Sequence, residues 1–163
     1  MRYEDDLPAT DDLGNVQDRT FASASAATRA AYPASDRLSS RQLADYLDRR
    51  AFAVVSSTRP NGRPHAAISS YVRRGSTFWL PTVAGSVRER NVRTGPWLSL
   101  VVTEGDRGRH VVVLIEGPVA VVAPADTPAD IRAAAGGDWV GCWLRLHAER
   151  VLSYGSASAL DES

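Results

Sequence analysis

Residues 77–91 read Thr-Phe-Trp-Leu-Pro-Thr-Val-Ala-Gly-Ser-Val-Arg-Glu-Arg-Asn, and this stretch gives the clearest structural signal in the chain. An apolar run typical of a strand ends at Thr82, a loop containing a glycine follows, and a helix begins at Ser86. Ser86 and Glu89 have the spacing of a capping box, which favours a helix start at the serine. The segment therefore predicts a strand-to-helix turn.

This turn is a candidate anion site. The first backbone N–H groups of a helix have no intrahelical acceptor, and the helix dipole favours negative charge beside them. Thr82 and Ser86 add hydroxyl groups, and Arg88 can donate two parallel hydrogen bonds to a phosphate. The alternative is a capped surface helix with solvated arginines, because Glu89 partly neutralises the first turn. The residues by themselves leave both interpretations open.

Strand-like runs lie on both sides of the turn. Apolar and β-branched patterns predict six strands, over residues 51–57, 65–72, 77–82, 97–103, 110–122 and 139–154. Asn61-Gly62 and the segment 105–108 mark hairpins between neighbouring runs. Short helices are expected after Ser39, after Ser86 and after Thr127. Six strands with short helices between them favour a mainly β, α+β fold, an antiparallel barrel that is closed or nearly closed.

The domain organisation follows from composition along the chain. Residues 1–38 are Asp-rich and then Ala/Ser-rich, so we expect an N-terminal tail that is disordered or loosely packed, with a partner-chain contact as the alternative. Residues 39–155 form the predicted barrel domain, and 156–163 a C-terminal tail. No secretory signal and no apolar run of about 20 residues is visible, so the expected location is the cytoplasm.

Composition excludes several classes of function. The formal net charge is zero, which gives no indication of nucleic-acid or membrane partners. All 19 basic residues are arginines, which excludes a lysine Schiff base and a P-loop lysine. The single cysteine, Cys142, and the three histidines do not have metal-ligand spacing, so no metal site is expected. No arrangement typical of nucleophilic catalysis can be identified.

Five motifs follow one another in a specific order: Gly62-Arg63-Pro64-His65, Phe78-Trp79-Leu80-Pro81-Thr82, Ser86-x-Arg88-x-x-Asn91, Trp97-Leu98-Ser99-Leu100 and Ile115-Glu116-Gly117-Pro118-Val119. In this order they resemble the pyridoxamine 5'-phosphate oxidase-like split β-barrel family, over roughly residues 38–154. The resemblance is to its branch of flavin- and deazaflavin-dependent oxidoreductases, which use FMN or coenzyme F420.

The resemblance implies a six-stranded antiparallel split β-barrel with short flanking helices, of the FMN-binding type. It implies a homodimer with two cofactors at the interface, and hydride transfer to or from a small unsaturated organic substrate. It assigns no catalytic side chain. The implied cofactor-binding residues are His65, Ala66, Ala67, Ile68, Ser69, Pro81, Thr82, Ser86, Val87, Arg88, Asn91 and Trp143.

Two departures from the family pattern bear on the cofactor. The oxidase proper has an arginine for the phosphate at the position of Ala66, and its absence favours F420 as first choice over FMN. The oxidase's C-terminal substrate-binding pattern is resembled by Trp139, Arg145, Leu146 and His147, although the same stretch is also typical of a closing strand. The alternatives are a true pyridoxamine-phosphate oxidase and a non-catalytic flavin- or haem-binding barrel. A haem binder would need one of the three histidines, His65, His110 or His147, as axial ligand.

Overall fold

Eight antiparallel strands form one sheet in the computed structural model, which describes residues 12–160. The strands are β1 (Phe52–Thr58), β2 (Pro64–Ser70), β3 (Val72–Arg74), β4 (Thr77–Thr82), β5 (Trp97–Gly105), β6 (His110–Val122), β7 (Cys142–His147) and β8 (Arg150–Gly155). The helices are α1 (Leu13–Ala22), α2 (Ala26–Ala31), α3 (Ser40–Asp48), α4 (Val87–Thr94), α5 (Ala129–Ala135) and α6 (Ala157–Leu160). None of these helices is long and apolar enough to cross a membrane.

Strand β6 divides the sheet into two halves. Its first part, residues 111–116, pairs with β8, and residues 119–122 pair with β7. One half then continues from β6 through β5 and β1 to the edge strand β2, and the other continues through β7 and β4 to the edge strand β3. The two edge strands do not pair with each other, so the barrel is split and not closed.

The core lies between these two halves and follows the alternation of the strands. Val55, Leu100 and Ile115 are opposite one another on β1, β5 and β6, and each has at most 1% of its surface exposed. The other half contributes side chains such as Phe78 and Leu146, which are fully buried opposite each other. Burial of large apolar side chains on alternate positions stabilises a sheet of this kind.

The predicted antiparallel barrel is confirmed, but the count of six strands is wrong because two predicted strands bend. The predicted strand 65–72 divides at Tyr71, whose hydroxyl donates a hydrogen bond to the carbonyl of Leu47 at 2.6 Å. The predicted strand 139–154 divides into β7 and β8 at residues 148–149. Each bend moves the chain from one half of the sheet to the other, so six predicted runs become eight strands.

The expected N-terminal tail is packed on the barrel where the structure describes it, and so is the start of the C-terminal tail. Leu13 and Val16 of α1 belong to the main hydrophobic core. Thr20 accepts the backbone N–H of Val151 at 3.1 Å, which attaches α1 to β8. At the other terminus, the carbonyl of Leu160 in α6 accepts a hydrogen bond from Gln42 at 3.3 Å. Residues 1–11 and 161–163 lie outside the described residues, and the boundaries at 39 and 155 stay a prediction.

Candidate cofactor site

The predicted strand-to-helix turn is present between β4 and α4. Ser86 is the N-cap of α4, and its hydroxyl accepts the backbone N–H of Glu89 at 3.3 Å. The Glu89 carboxylate accepts the N–H of Gly85, one residue earlier than a capping box requires. Gly85 has φ +74°, a left-handed conformation that suits glycine. The start of α4 at Ser86 was therefore predicted correctly, but the Glu89 carboxylate accepts the N–H of Gly85 and not that of Ser86.

Side chains of α4 fix the loop that precedes it. Glu89 is 7% exposed and makes an ion pair of 2.7 Å with Arg93. Arg90 donates to the carbonyl of Gly85 at 2.8 Å, so this glycine is held through both its N–H and its C=O. The hydrogen bonds from Arg93 and from the Gly85 N–H lower the pKa of Glu89 below its ordinary value. Glu89 therefore remains an anion whose charge is already matched by Arg93.

Arg88 is a half-buried cation at this turn and has no carboxylate partner within residues 12–160. Its guanidinium is half-buried, and Nη2 makes a long hydrogen bond of 3.4 Å to the Thr82 hydroxyl. Its Nε is buried without an acceptor in the described part of the chain. Burial lowers the pKa of Arg88, because desolvation disfavours the charged form. An anion bound here would supply the missing acceptor, since an unpaired buried charge is costly.

Thr82 and Asn91, two of the residues assigned to the phosphate, have structural roles and almost no exposed surface. Thr82 is fully buried, and its hydroxyl donates to the carbonyl of Leu80 at 3.2 Å. Asn91 is 2% exposed and donates to the Ser57 hydroxyl on β1 at 3.0 Å. Thr82 therefore orients Arg88, and Asn91 attaches α4 to the barrel. Direct contact with an anion is left to Arg88 and to the first turn of α4.

Strand β2 carries the residues expected beneath the cofactor ring. It pairs only with β1, so one side of its backbone has no strand partner in the described part of the chain. Ala66 is exposed and Ile68 is 65% exposed, whereas Ser69 is buried. The Nδ1 atom of His65 is buried and has no hydrogen-bond partner. An edge strand with free backbone groups can bind a flat ligand through its N–H and C=O groups.

Trp143 is not positioned to contact a cofactor. It is 1% exposed and packs with Val72, Trp79 and Ile131 in a second core cluster. Pro81, its neighbour across β4 and β7, is also buried. The assignment of Trp143 to the cofactor is therefore corrected, because its ring presents no surface to a ligand.

Trp139, which the sequence analysis placed in the pattern that resembles the oxidase's substrate-binding segment, was not among the expected cofactor-binding residues. Trp139 is 55% exposed in the loop before β7. That loop packs on the β4–α4 loop, because the N–H of Gly141 donates to the Thr82 carbonyl at 3.0 Å. A Cβ atom at Gly141 would lie 2.5 Å from the Cβ atom of Ala84. In the sequence, the available signal was a tryptophan between Gly136-Gly137 and Gly141.

The remaining candidate groups have no catalytic arrangement. Cys142 is buried, and burial raises the pKa of its thiol, which disfavours a nucleophilic thiolate. Within residues 12–160 no group of three or more His, Cys, Asp or Glu residues could hold a metal ion. The Nδ1 atom of His147, like that of His65, is buried without a hydrogen-bond partner in the described residues. The Nδ1 atom of His110 lies 3.1 Å from the carbonyl oxygen of Asp106.

Together, a sheet divided at β6 and a strand-to-helix turn between β4 and α4 define an antiparallel split β-barrel. Residues 39–154 match the family model for pyridoxamine 5'-phosphate oxidase, and the chain belongs to this family. Among curated proteins, none matches the chain significantly.

Solved structures share the fold at low sequence identity. A conserved hypothetical protein from Mycobacterium tuberculosis has 20% identity and a TM-score of 0.64, covering 76% of this chain and 88% of that chain. An FAD-binding protein from Mesorhizobium loti has 15% identity and a TM-score of 0.60, covering 74% and 96%. The haem storage protein HutZ from Vibrio cholerae has 13% identity and a TM-score of 0.59, covering 70% and 93%. These likenesses extend over nearly the whole of each solved chain.

We predict that Glu89→Gln destabilises the protein in a pH-dependent way. The lowered pKa of Glu89 means that its ionised form stabilises the fold above the unfolded-state pKa of about 4.3, and this contribution is lost as pH falls through the folded-state pKa. Urea denaturation at pH 7 should show a loss of roughly 1–3 kcal/mol in the free energy of unfolding. The difference from the wild type should shrink as the pH is lowered below about 4.3.

The matched control is Glu149→Gln, which removes an exposed carboxylate without an ion pair in the described residues. It should leave the free energy of unfolding at pH 7 unchanged. If Glu89→Gln lowers the free energy of unfolding by the same amount at pH 7 and in acid, the role assigned to the carboxylate charge is contradicted.

Proposed function

We propose that this protein is an oxidoreductase that binds a flavin-type cofactor and acts on a small unsaturated organic substrate. The observation that carries the proposal is Arg88, a half-buried guanidinium with a buried Nε that lacks an acceptor, at the start of α4. A phosphate is the ligand that this position favours, because a guanidinium and free helix N–H groups both donate to it. Family membership supports a phosphate-bearing cofactor in that position.

Each part of the site has a distinct role in this proposal. Arg88 and the first N–H groups of α4 hold the cofactor phosphate, Thr82 orients Arg88, and the backbone of β2 from His65 to Ser69 lies along the ring. A bound flavin or deazaflavin supplies the hydride-transfer chemistry. The protein contributes binding, orientation and exclusion of water, and no acid–base side chain is assigned.

Two observations narrow the choice of cofactor. The FAD-binding relative from Mesorhizobium loti supports a flavin-type cofactor. Ala66, where the oxidase has an arginine, disfavours pyridoxamine-phosphate oxidation and keeps F420 beside FMN as a candidate. Direct titration with each cofactor separates these alternatives. A cytoplasmic location stays a prediction.

A homodimer is part of the proposal and is supported by an apolar row on the outer face of the sheet. Ile68, Val54, Val101 and Leu114 are opposite one another across β2, β1, β5 and β6. Their side chains alternate with the buried row and are half-buried or exposed. Phe52 next to this row is 63% exposed. A contiguous apolar surface of this kind marks an interface, and a second copy would place two cofactor sites beside it.

The second candidate function is a non-catalytic haem-binding barrel. His65 favours it, because its Nδ1 is buried without a partner on the edge strand β2 and an axial ligand needs an imidazole nitrogen that is not already bonded. The haem storage protein from Vibrio cholerae has the same fold. A haem absorption spectrum that is lost in His65→Ala would favour this candidate over the oxidoreductase.

We predict that Arg88→Gln weakens the binding of FMN and F420 by roughly 10- to 100-fold, the loss expected for hydrogen bonds to a charged phosphate. Arg88→Lys should recover most of the affinity, because it restores the positive charge. Fluorescence titration of the purified protein with each cofactor measures this effect.

The control is Arg74→Gln on β3, an exposed arginine that pairs with Asp130 at 3.1 Å. It should bind both cofactors as the wild type does. Equal affinity of the wild type and Arg88→Gln would show that the turn does not hold the phosphate.

We predict that Phe52→Asp converts a dimer into a monomer, because it puts a charge into the apolar face that a second copy would cover. Light scattering after size exclusion should give twice the chain mass for the wild type and the single-chain mass for the variant. Ala120→Asp, an exposed position on the other part of β6, should remain dimeric. If the wild-type protein has the mass of a single chain, the proposed homodimer is contradicted.

A further inference from the structure

A cavity lies at the end of the barrel away from α4. It is lined by the C-terminal end of α3, by the hairpin between β5 and β6, and by α6. Strand β5 begins at Trp97, shortly after α4, and ends on this cavity at Gly105, which separates the two places by about 26 Å at the usual rise of a strand. The cavity volume of about 750 Å³ lies within the range of about 300–1,000 Å³ found for ligand pockets.

Two buried polar atoms of residues at this cavity have no hydrogen-bond partner in the described part of the chain. They are the hydroxyl oxygen of Tyr46, in α3, and the Nε atom of Arg50, just after that helix. Tyr46 is 3% exposed, and Cζ of Arg50 lies 5.1 Å from the centre of its ring, so the two groups are neighbours. Because a buried donor without an acceptor is costly, a ligand that accepts hydrogen bonds from both groups would offset this cost.

The Tyr46 hydroxyl is protonated at neutral pH and lies in a positive environment. Burial raises the pKa of Tyr46 above its ordinary value, and the charges of Arg50 and Arg49 act in the opposite direction. Both guanidinium groups are therefore close enough to act on this hydroxyl. A ligand group bound there would experience the positive charge of both arginines, which favours an anion.

Arg49 carries a charge that no carboxylate within residues 12–160 neutralises. Its side chain is exposed, and its Nε donates to the carbonyl of Asp45 at 3.0 Å. The carboxylates that line the cavity form ion pairs with other arginines: Asp45 with Arg41, Asp48 with Arg73, and Glu104 with Arg50. The charge of Arg49 is therefore available to a bound anion.

Apolar side chains supply the remaining part of the lining. Leu38, Val111 and Ala159 are 3%, 7% and 9% exposed, and Leu160 of α6 packs against the same hydrophobic core. A ligand that uses the whole lining has an apolar body for these side chains and one anionic group for the polar ones. A carboxylate suits the polar part, because its two oxygens accept hydrogen bonds from a hydroxyl and a guanidinium.

We propose that this cavity binds a small organic carboxylate with an apolar body, at a site separate from the proposed cofactor site. Aromatic acids and short-chain fatty acids share this chemistry. The inference does not depend on the oxidoreductase activity, since none of the lining residues belongs to the β4–α4 turn or to β2.

Calorimetric titration of the full chain with benzoate and with hexanoate, each beside its neutral amide, tests this site. The wild type should bind at least one of the two acids about tenfold or more tightly than the matching amide, because the amide lacks the charge. Tyr46→Phe removes only the unpartnered hydroxyl, and Arg49→Gln only the unpaired charge. Each should weaken binding of the acid about five- to tenfold and leave the thermal unfolding midpoint unchanged.

Two control variants locate the bound acid. Tyr32→Phe removes a tyrosine hydroxyl outside the cavity, and Arg88→Gln removes the arginine of the β4–α4 turn; both should bind the acid as the wild type does. Preference for benzoate assigns the cavity to aromatic acids, preference for hexanoate assigns it to short-chain acids, and either result supports the inference. It is overturned if neither acid binds, if acid and amide bind equally, or if affinity is unchanged in both Tyr46→Phe and Arg49→Gln.

Discussion

The crossing of β7 and β8 over β6 at Gly117 is the constraint on which the rest of this fold depends. A Cβ atom at Gly117 would lie 1.8 Å from the carbonyl oxygen of His147, so only a residue without a side chain permits this approach. Because the chains come this close, β7 pairs with one part of β6 and β8 with the other. In the half of the sheet that β7 joins, Cys142 lies opposite Thr82, the last residue of β4 before the turn to α4.

At the β4–α4 turn, the only glutamate of α4 pairs with one arginine and leaves the other two without a carboxylate partner in the described residues. Three arginines and one glutamate occupy α4, and the glutamate pairs with Arg93, the most distant of the three from the helix start. Arg88 is thereby left with only a hydroxyl contact and a buried Nε, and Arg90 with only a carbonyl. Positive charge without a carboxylate partner is costly at a partly buried position, and a bound phosphate offsets this cost. The arrangement thus explains why the turn favours an anion although the chain as a whole is neutral.

Local signals in the sequence predicted the local features of the structure. Ser39 and Ser86 both cap helices, and the helix-starting turn at Ser86 lies where its spacing indicated. Features that depend on distant contacts were not predictable in the same way. The bend at Tyr71 depends on a hydrogen bond to Leu47, and the packing of α1 depends on Thr20 binding Val151, 131 residues away. The burial of Trp143 and the exposure of Trp139 depend on where β7 begins, and no periodicity in residues 139–154 marks that point.

The most direct test of the central claim is the difference in affinity between FMN and riboflavin for the wild-type protein. The two ligands have the same ring and differ only in the phosphate, so the comparison isolates the contribution of the turn at α4. We predict that FMN binds at least about tenfold more tightly, as charge-assisted hydrogen bonds to the phosphate require. Equal affinities for FMN and riboflavin would contradict the assignment of Arg88 and the start of α4 as the phosphate site.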